Sequence, residues 1–216
     1  MAVNLLGFDW SGTLSDDRLP VYEVDRRLME AVGREFMPYE KWLSHTTYSA
    51  PEMLRFLGFQ GNDQELMEIF RKEYQQVLES GIIPVHYPDA SAVVDYFSQA
   101  MYAMFILSTH PEDFVKKEAD GMCHYFSDIC GSCPDKAKSL LKMMERYGKN
   151  PEDTAYVGDM QNDMIAAKKA GAAAIGITTG YHSRNMLKEA GADYIVDSLS
   201  ELENIPIFQR VPENEE

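Results

Sequence analysis

The sequence predicts an α/β protein, built as a parallel sheet with helices on its faces and one helical insertion near the N-terminus. Three observations carry this reading. Short apolar runs alternate with longer segments of helical periodicity. Several of the runs end in a polar cluster, at Asp9, at Ser108-Thr109 and at Gly158-Asp159, as strands do where an open α/β sheet presents its ligand edge. Between about Asp16 and Ile83 no convincing strand occurs and helical spacing takes over.

Residues 3–8 are short, mostly aliphatic and bounded by a turn signal, which suits a strand buried on both faces. Asp9 closes that strand, and Gly12 permits a sharp turn with close approach of backbone amides to an anion. Helical spacing follows over 21–36, 52–59 and 64–78, with breakers at Pro38, Gly58, Gly61 and Gly81. The insertion ends at about 81–88, where Pro84, His86, Tyr87 and Pro88 interrupt the pattern. Residues 89–99 read as a helix, 100–107 as an apolar strand, and 111–121 as a helix with an early Pro. A weak strand or loop at 126–131 precedes an amphipathic helix over 135–147, stopped at Gly148. Then come a strand at 154–157, a helix at 163–170 ended by Gly171, a strand at 173–177, a helix at 185–190 and a last strand at 194–196. The acidic tail from Pro206 is expected to fray.

The chain of 216 residues is 45% hydrophobic and 25% charged, the balance of an ordinary globular protein. Its net charge of −15 argues against a nucleic-acid partner or an acidic membrane surface. No apolar run reaches membrane-spanning length. The three cysteines, Cys123, Cys130 and Cys133, form no disulfide framework and suit a reducing, cytoplasmic setting. Cys130 and Cys133, with Cys123-His124 upstream, have the outline of a metal site, but a lone Cys-x-x-Cys more often marks an ordinary loop.

The chemistry concentrates at the common strand edge. Asp9, Asp159 and Asp163 supply the carboxylates typical of a Mg²⁺ site. Ser108 or Thr109 offers a hydroxyl to a phosphate oxygen. Lys136 or Lys138, at the start of the 135–147 helix, supplies charge neutralisation.

In their order these motifs resemble the haloacid dehalogenase-like hydrolase superfamily. The run Asp9-Trp10-Ser11-Gly12-Thr13-Leu14, then Ser108, then Lys136, then Gly158-Asp159-Met160-Gln161-Asn162-Asp163 follows that family's four motifs. Thr179-Gly180-Tyr181 and the stretch from Gly191 to Asp197 are similar to its phosphoglycolate phosphatase branch. The resemblance implies a Rossmann-like core (1–15 and 86–205), a helical cap (16–85) and a flexible acidic tail (206–216). It implies Asp9 as nucleophile toward phosphorus, paired with Lys136, with Ser108 holding phosphate. It implies Mg²⁺ held by Asp9, the Ser11 carbonyl and Asp159, with Asp163 capping its helix or adding a ligand. Gly12, Thr13, Thr109 and His45 are candidate substrate contacts, and the partner is a small phosphorylated molecule.

The chain departs from that family at Ser11, where its phosphatases usually carry an acid/base Asp. A Ser hydroxyl holds its proton too tightly for that work near neutrality, and loss of such a group lowers rate by about 10²–10⁴-fold. Three readings follow. A cap residue supplies the proton, with His45 first and Tyr48 second. The substrate has a good leaving group, as an acyl phosphate does. Or the reaction differs: phosphonoacetaldehyde hydrolases carry a small residue at this position and use a cap lysine, for which Lys41 and Lys72 are the candidates. A phosphate-binding protein without turnover is a further alternative. Arg55 and Lys138 read as solvated side chains, and His110 as a phosphate-facing residue or a helix-start residue.

Overall fold

The structure is a computed structural model that describes residues 3–47 and 49–209. The chain begins with β1 (Leu5–Phe8) and β2 (Ser15–Asp16), then passes through α1 (Arg18–Ala31), α2 (Tyr39–Leu43), α3 (Ala50–Phe56) and α4 (Asp63–Glu79). It returns through β3 (Val85–His86), α5 (Ala90–Gln99), β4 (Ala103–Leu107), α6 (Glu112–Glu118) and β5 (Asp128–Cys130). The remainder is α7 (Lys136–Tyr147), β6 (Thr154–Gly158), α8 (Gln161–Ala170), β7 (Ala173–Ile177), α9 (Arg184–Glu189) and β8 (Tyr194–Val196).

Six strands form one parallel sheet in the order β5-β4-β1-β6-β7-β8. The crossovers leave β1 to opposite sides, toward β4 and toward β6, so the crevice at their carboxyl ends is a topological switch point. Phe8 pairs with Ile106 and with Val157, which brings Asp9, Ser108 and Asp159 to one edge within a residue of register.

The two faces of β1 separate the core by the period of two. Leu6 and Phe8 point into a cluster with Val93, Val94 and Phe97 of α5, while Leu5 joins Leu140, Met144 and Met164 of α7 and α8. Gly7 is required between them. A Cβ there would lie 2.5 Å from the Phe105 ring and 2.7 Å from the Tyr156 ring, so glycine lets both aromatics cover the strand.

Helices α1 to α4 enclose two smaller clusters. Val24, Leu54, Leu66, Phe70 and Tyr74 form one, joined by Phe114 of α6; Met29, Trp42, Met53 and Leu57 form the other. Apolar residues recur on one face of α4, and Asn62 with Glu65 makes a reciprocal capping box at its start.

Several sequence expectations shift. The antiparallel β2–β3 ribbon joins the ends of the insertion and was not foreseen, because two-residue strands carry no alternation. Helix α2 was also missed, being only five residues long. The strand expected from residue 100 begins pairing at Ala103, since Met101 turns with φ 64° and the Tyr102 amide closes α5 by donating to the Phe97 carbonyl. The segment at 126–131 is an edge strand. The fraying tail expected from Pro206 does not start there: Pro206–Phe208 forms a helical turn, and Phe208 is buried against Phe97 and Tyr102. Residues 210–216 and Tyr48 lie outside the described residues.

The Phe208 ring completes the α5 face of the core, so Phe208→Ala leaves a cavity. It is expected to lower unfolding free energy by about 3 kcal/mol, measured as a reduced urea midpoint with an unchanged slope.

Candidate active site

The carboxyl ends of β1 and β6 bring three aspartates together in a buried pocket. Asp9, Asp159 and Asp163 are each under 5% exposed, and one oxygen of each lies within 4.8 Å of the others. Among the described residues this is the one such acidic, His or Cys cluster. Lys136, at the first turn of α7 and itself 5% exposed, reaches in from the neighbouring layer. Its Nζ stands 2.8 Å from Asp9 Oδ2 and 2.6 Å from Asp163 Oδ1. Lys138 is exposed and only donates its backbone N–H to the Asp135 cap.

Each carboxylate is oriented by a second contact. Asp9 Oδ1 accepts from the Trp10 amide at 2.7 Å. Asp159 accepts from Thr13 Oγ1 at 3.2 Å and from the Tyr181 amide at 2.7 Å. Asp163 Oδ2 accepts from the Met160 amide at 3.0 Å, so Asp163 both caps α8 and holds Lys136.

Burial pushes the Asp9 carboxyl up to about 6 even though Lys136 opposes it, and burial with the neighbouring Asp9 and Asp163 charges lifts Asp159 well above the carboxylate range. Burial works against the Lys136 ammonium, but Asp163 and Asp9 hold its pKa above the usual lysine value. One lysine is thus set against three carboxylates. An all-oxygen donor set carrying this surplus negative charge fits a hard divalent cation.

Gly12 and Gly180 make room for Asp159. A Cβ on Gly12 would sit 2.3 Å from Asp159 Oδ2, and one on Gly180 would sit 2.0 Å from it. Gly12 also has φ +74°, a conformation that glycine adopts without penalty. The substrate role expected for Gly12 and Thr13 is not what their contacts show. The Gly12 amide donates to the Ser15 carbonyl, the Thr13 amide to the Trp10 carbonyl and the Thr13 hydroxyl to Asp159. Both residues shape the turn and its acid.

Ser108 is buried after β4, its Oγ accepting from the His110 amide at 3.2 Å. Thr109 faces a cavity of about 80 Å³ between this edge and the insertion, bordered also by Ser11, Asp17 and His110. His45 does not reach it. Its ring is exposed, hydrogen-bonded to Ser44 and the Lys41 carbonyl and stacked on Phe56. Lys41 and Lys72 are exposed and outside the cavity lining, and exposed Arg55 pairs with Asp63. The cysteines are free thiols; Cys133 Sγ packs 3.5 Å from the Cys130 carbonyl.

Sequence reasoning missed the acid that does face Ser11. Asp17, 1% exposed, lies within hydrogen-bonding reach of the Ser11 hydroxyl and accepts from the Tyr181 hydroxyl at 2.9 Å. Burial raises its pKa while the His110 charge opposes. His110 is buried with Nε2 3.4 Å from Glu118 Oε1; burial disfavours its charged form, but Glu118 outweighs that and raises its pKa. Glu118 also accepts from Trp10 Nε1 at 2.8 Å and from the Tyr74 hydroxyl at 2.8 Å. Asp17 was passed over because it reads as a helix-start acid, and only β2 turns it inward. Asp25 was hidden as one polar residue of α1; it is 2% exposed and accepts from Trp42 Nε1 at 2.8 Å.

A parallel α/β sheet whose switch point gathers a buried Asp–Lys–Asp chain with a third carboxylate is the architecture of an enzyme core. Residues 7–177 match the haloacid dehalogenase-like hydrolase family, and the chain belongs to it. It is similar to phosphoglycolate phosphatases, among them one from Vibrio parahaemolyticus at 27% identity over 93% of this chain and 94% of that one. Another, from Pseudomonas savastanoi, is 27% identical over 92% of this chain and 78% of that protein. Of solved structures, a predicted phosphatase from Clostridium acetobutylicum superposes with a TM-score of 0.82 at 20% identity, over 94% of this chain and 98% of that one. A haloacid dehalogenase-like family protein from Streptococcus pneumoniae gives 0.80 at 21%, over 94% and 97%. The chain is a hydrolase of the phosphoglycolate phosphatase-like branch. Among the described residues no helix is long and apolar enough to cross a membrane.

Burial pushes the Asp25 carboxyl up to about 7, with the Trp42 indole N–H opposing. The folded state therefore binds this proton more tightly than the unfolded chain, and Asp25 erodes stability as pH rises from about 4 to about 7, with no further loss above. Asp25→Asn keeps an acceptor for Trp42 without the charge. Its stabilising effect is expected to be larger at pH 8 than at pH 5 by on the order of 3 kcal/mol, measured by urea unfolding of both proteins.

Proposed function

We propose that this chain is a Mg²⁺-dependent phosphatase of a small phosphorylated metabolite, working through an aspartyl-phosphate on Asp9. The observation that carries the reading is the Asp9–Lys136–Asp163 chain, with Lys136 Nζ 2.8 and 2.6 Å from the two carboxylates. A binding protein has no need of a carboxylate so aimed and so costly to bury.

Asp9 Oδ2 is the attacking atom, and Oδ1 stays fixed by the Trp10 amide. Lys136 neutralises charge as the phosphoryl group approaches, and Asp163 keeps it in place. Ser108, with Thr109 beside it, takes phosphate oxygens. As the Asp9 Oδ2–phosphorus bond forms, the ester P–O bond breaks and the alcohol leaves with a proton taken from solvent water. A second water then attacks phosphorus, releasing phosphate and restoring the Asp9 carboxylate; splitting the displacement in this way is covalent catalysis. Asp9, Asp159 and the Ser11 carbonyl would hold Mg²⁺, with Asp163 committed instead to Lys136 and the helix cap. Bound there, the cation screens carboxylate from phosphate and polarises the phosphoryl group.

Residues 16–85 act as the cap over this edge in a cytoplasmic enzyme, with the β2–β3 ribbon as its stem. The phosphonatase-type alternative loses support, because Lys41 and Lys72 are exposed and away from the cavity. A proton donor from the cap through His45 loses support for the same reason.

Asp9→Asn is expected to abolish phosphate release from small phosphoesters and acetyl phosphate while the circular dichroism spectrum stays native; retained turnover would overturn the mechanism. Chelation of divalent cations is expected to remove the activity of the wild type and Mg²⁺ to restore it, measured by phosphate release before and after dialysis.

A further inference from the structure

The cavity between the sheet edge and the insertion is where the part of the substrate beyond the phosphate must lie, given the phosphatase reading on which this inference rests. Its entrance from the sheet side is Ser11 and Thr109, next to the nucleophile. Its far wall is apolar and aromatic, with Val21, Trp42, Met53, Met67 and Phe70. Among the described residues no lysine or arginine lines it. The basic side chains at or near it are committed elsewhere: His110, which borders it, to Glu118, Lys136 to Asp9 and Asp163, Arg18 to Asp16, Arg55 to Asp63.

Two carboxylates do line it, Asp17 at one end and Asp25 under Trp42. Asp17 already accepts from Tyr181. Asp25 accepts from the Trp42 indole through Oδ2 and is 2% exposed. Retaining a buried acid where an amide would satisfy the same indole costs stability. Such a residue is the kind kept for contact with a ligand hydroxyl or ammonium.

We propose that the substrate is the phosphate ester of a small alcohol that bears no negative charge beyond its phosphate. The cavity rejects a carboxylate-bearing leaving group such as that of phosphoglycolate. A carboxylate there would meet two buried acids, and the one cationic side chain bordering the cavity, His110, is already paired with Glu118; such like charge is how a site excludes a competitor. A neutral alkyl or hydroxylated group meets the aromatic wall, and an ammonium meets Asp25.

The test uses three esters of nearly equal size: ethyl phosphate, O-phosphoethanolamine and 2-phosphoglycolate. Phosphate release by the full chain with Mg²⁺ is expected to give kcat/KM at least about tenfold higher for the first two than for phosphoglycolate. Where turnover is slow, the same three are ranked as competitive inhibitors of acetyl phosphate hydrolysis. Asp25→Asn is expected to narrow the gap by about threefold or more, and the wild-type ranking decides the matter should that variant not fold. Phosphoglycolate handled as well as or better than the other two overturns the inference and leaves the phosphatase reading standing. No Mg²⁺-dependent release from any ester or from acetyl phosphate overturns the phosphatase reading, and this inference with it.

Discussion

Lys136 between Asp9 and Asp163 is the contact on which the rest of the structure depends. Three buried acids at the end of a sheet would repel one another and sacrifice hydration with nothing in return. The lysine makes the arrangement tolerable only because its own position is fixed. Its Cα lies in the first turn of α7, whose Asp135 cap and left-handed Gly148 end set the helix's limits. The face carrying Leu140, Met143 and Met144 packs that helix on the sheet. The geometry of the cluster is therefore an outcome of ordinary core packing. The ammonium is placed by hydrophobic contacts well away from it, and a buried charge triad with a net deficit of positive charge remains, ready for a cation.

A second constraint acts at the stem of the insertion. The β2–β3 ribbon directs the chain out and back through a narrow crossing, and Trp10 sits beside it. Its indole meets the His86 ring of β3 edge-on at 5.6 Å and donates to Glu118 of α6. Glu118 in turn engages Tyr74 of α4 and faces His110. This polar network runs from the residue after the nucleophile, through the core helix, into the insertion. Trp10, Tyr74, His110 and the Glu118 side chain are buried while His86 is exposed, and the buried part of such a network fixes one arrangement because each broken contact strands a polar group.

Much of this was legible in the chain. Strands β1, β4, β6 and β7 announce themselves as short apolar runs with polar ends. The glycines at 148 and 171 mark helix ends as their left-handed conformation requires. What could not be read has physical causes. Strands β2 and β3 are too short for periodicity, and Phe208 looks like one apolar residue in a polar tail until α5 is seen beneath it. At the site, motif residues were found but their directions were not. Gly12 and Thr13 turn toward Asp159 rather than outward. His45 was singled out as a cap acid for its residue type alone, and folding stacks it on Phe56 at the surface. Asp17 and Asp25, which do enter the cavity, are indistinguishable in sequence from helix-face carboxylates.

Tyr181 joins parts that are otherwise separate. Its amide donates to Asp159, its hydroxyl to Asp17, and its ring lies 6.1 Å from that of Trp42. One residue thus touches a carboxylate of the acidic cluster, the cavity acid and the aromatic wall of the insertion. The proposed metal position, the ionisation of the cavity and the packing of the insertion are then not independent but one linked set. Free energy spent or gained at any one of them is felt at the other two, and substitutions made at two of these places together will not add.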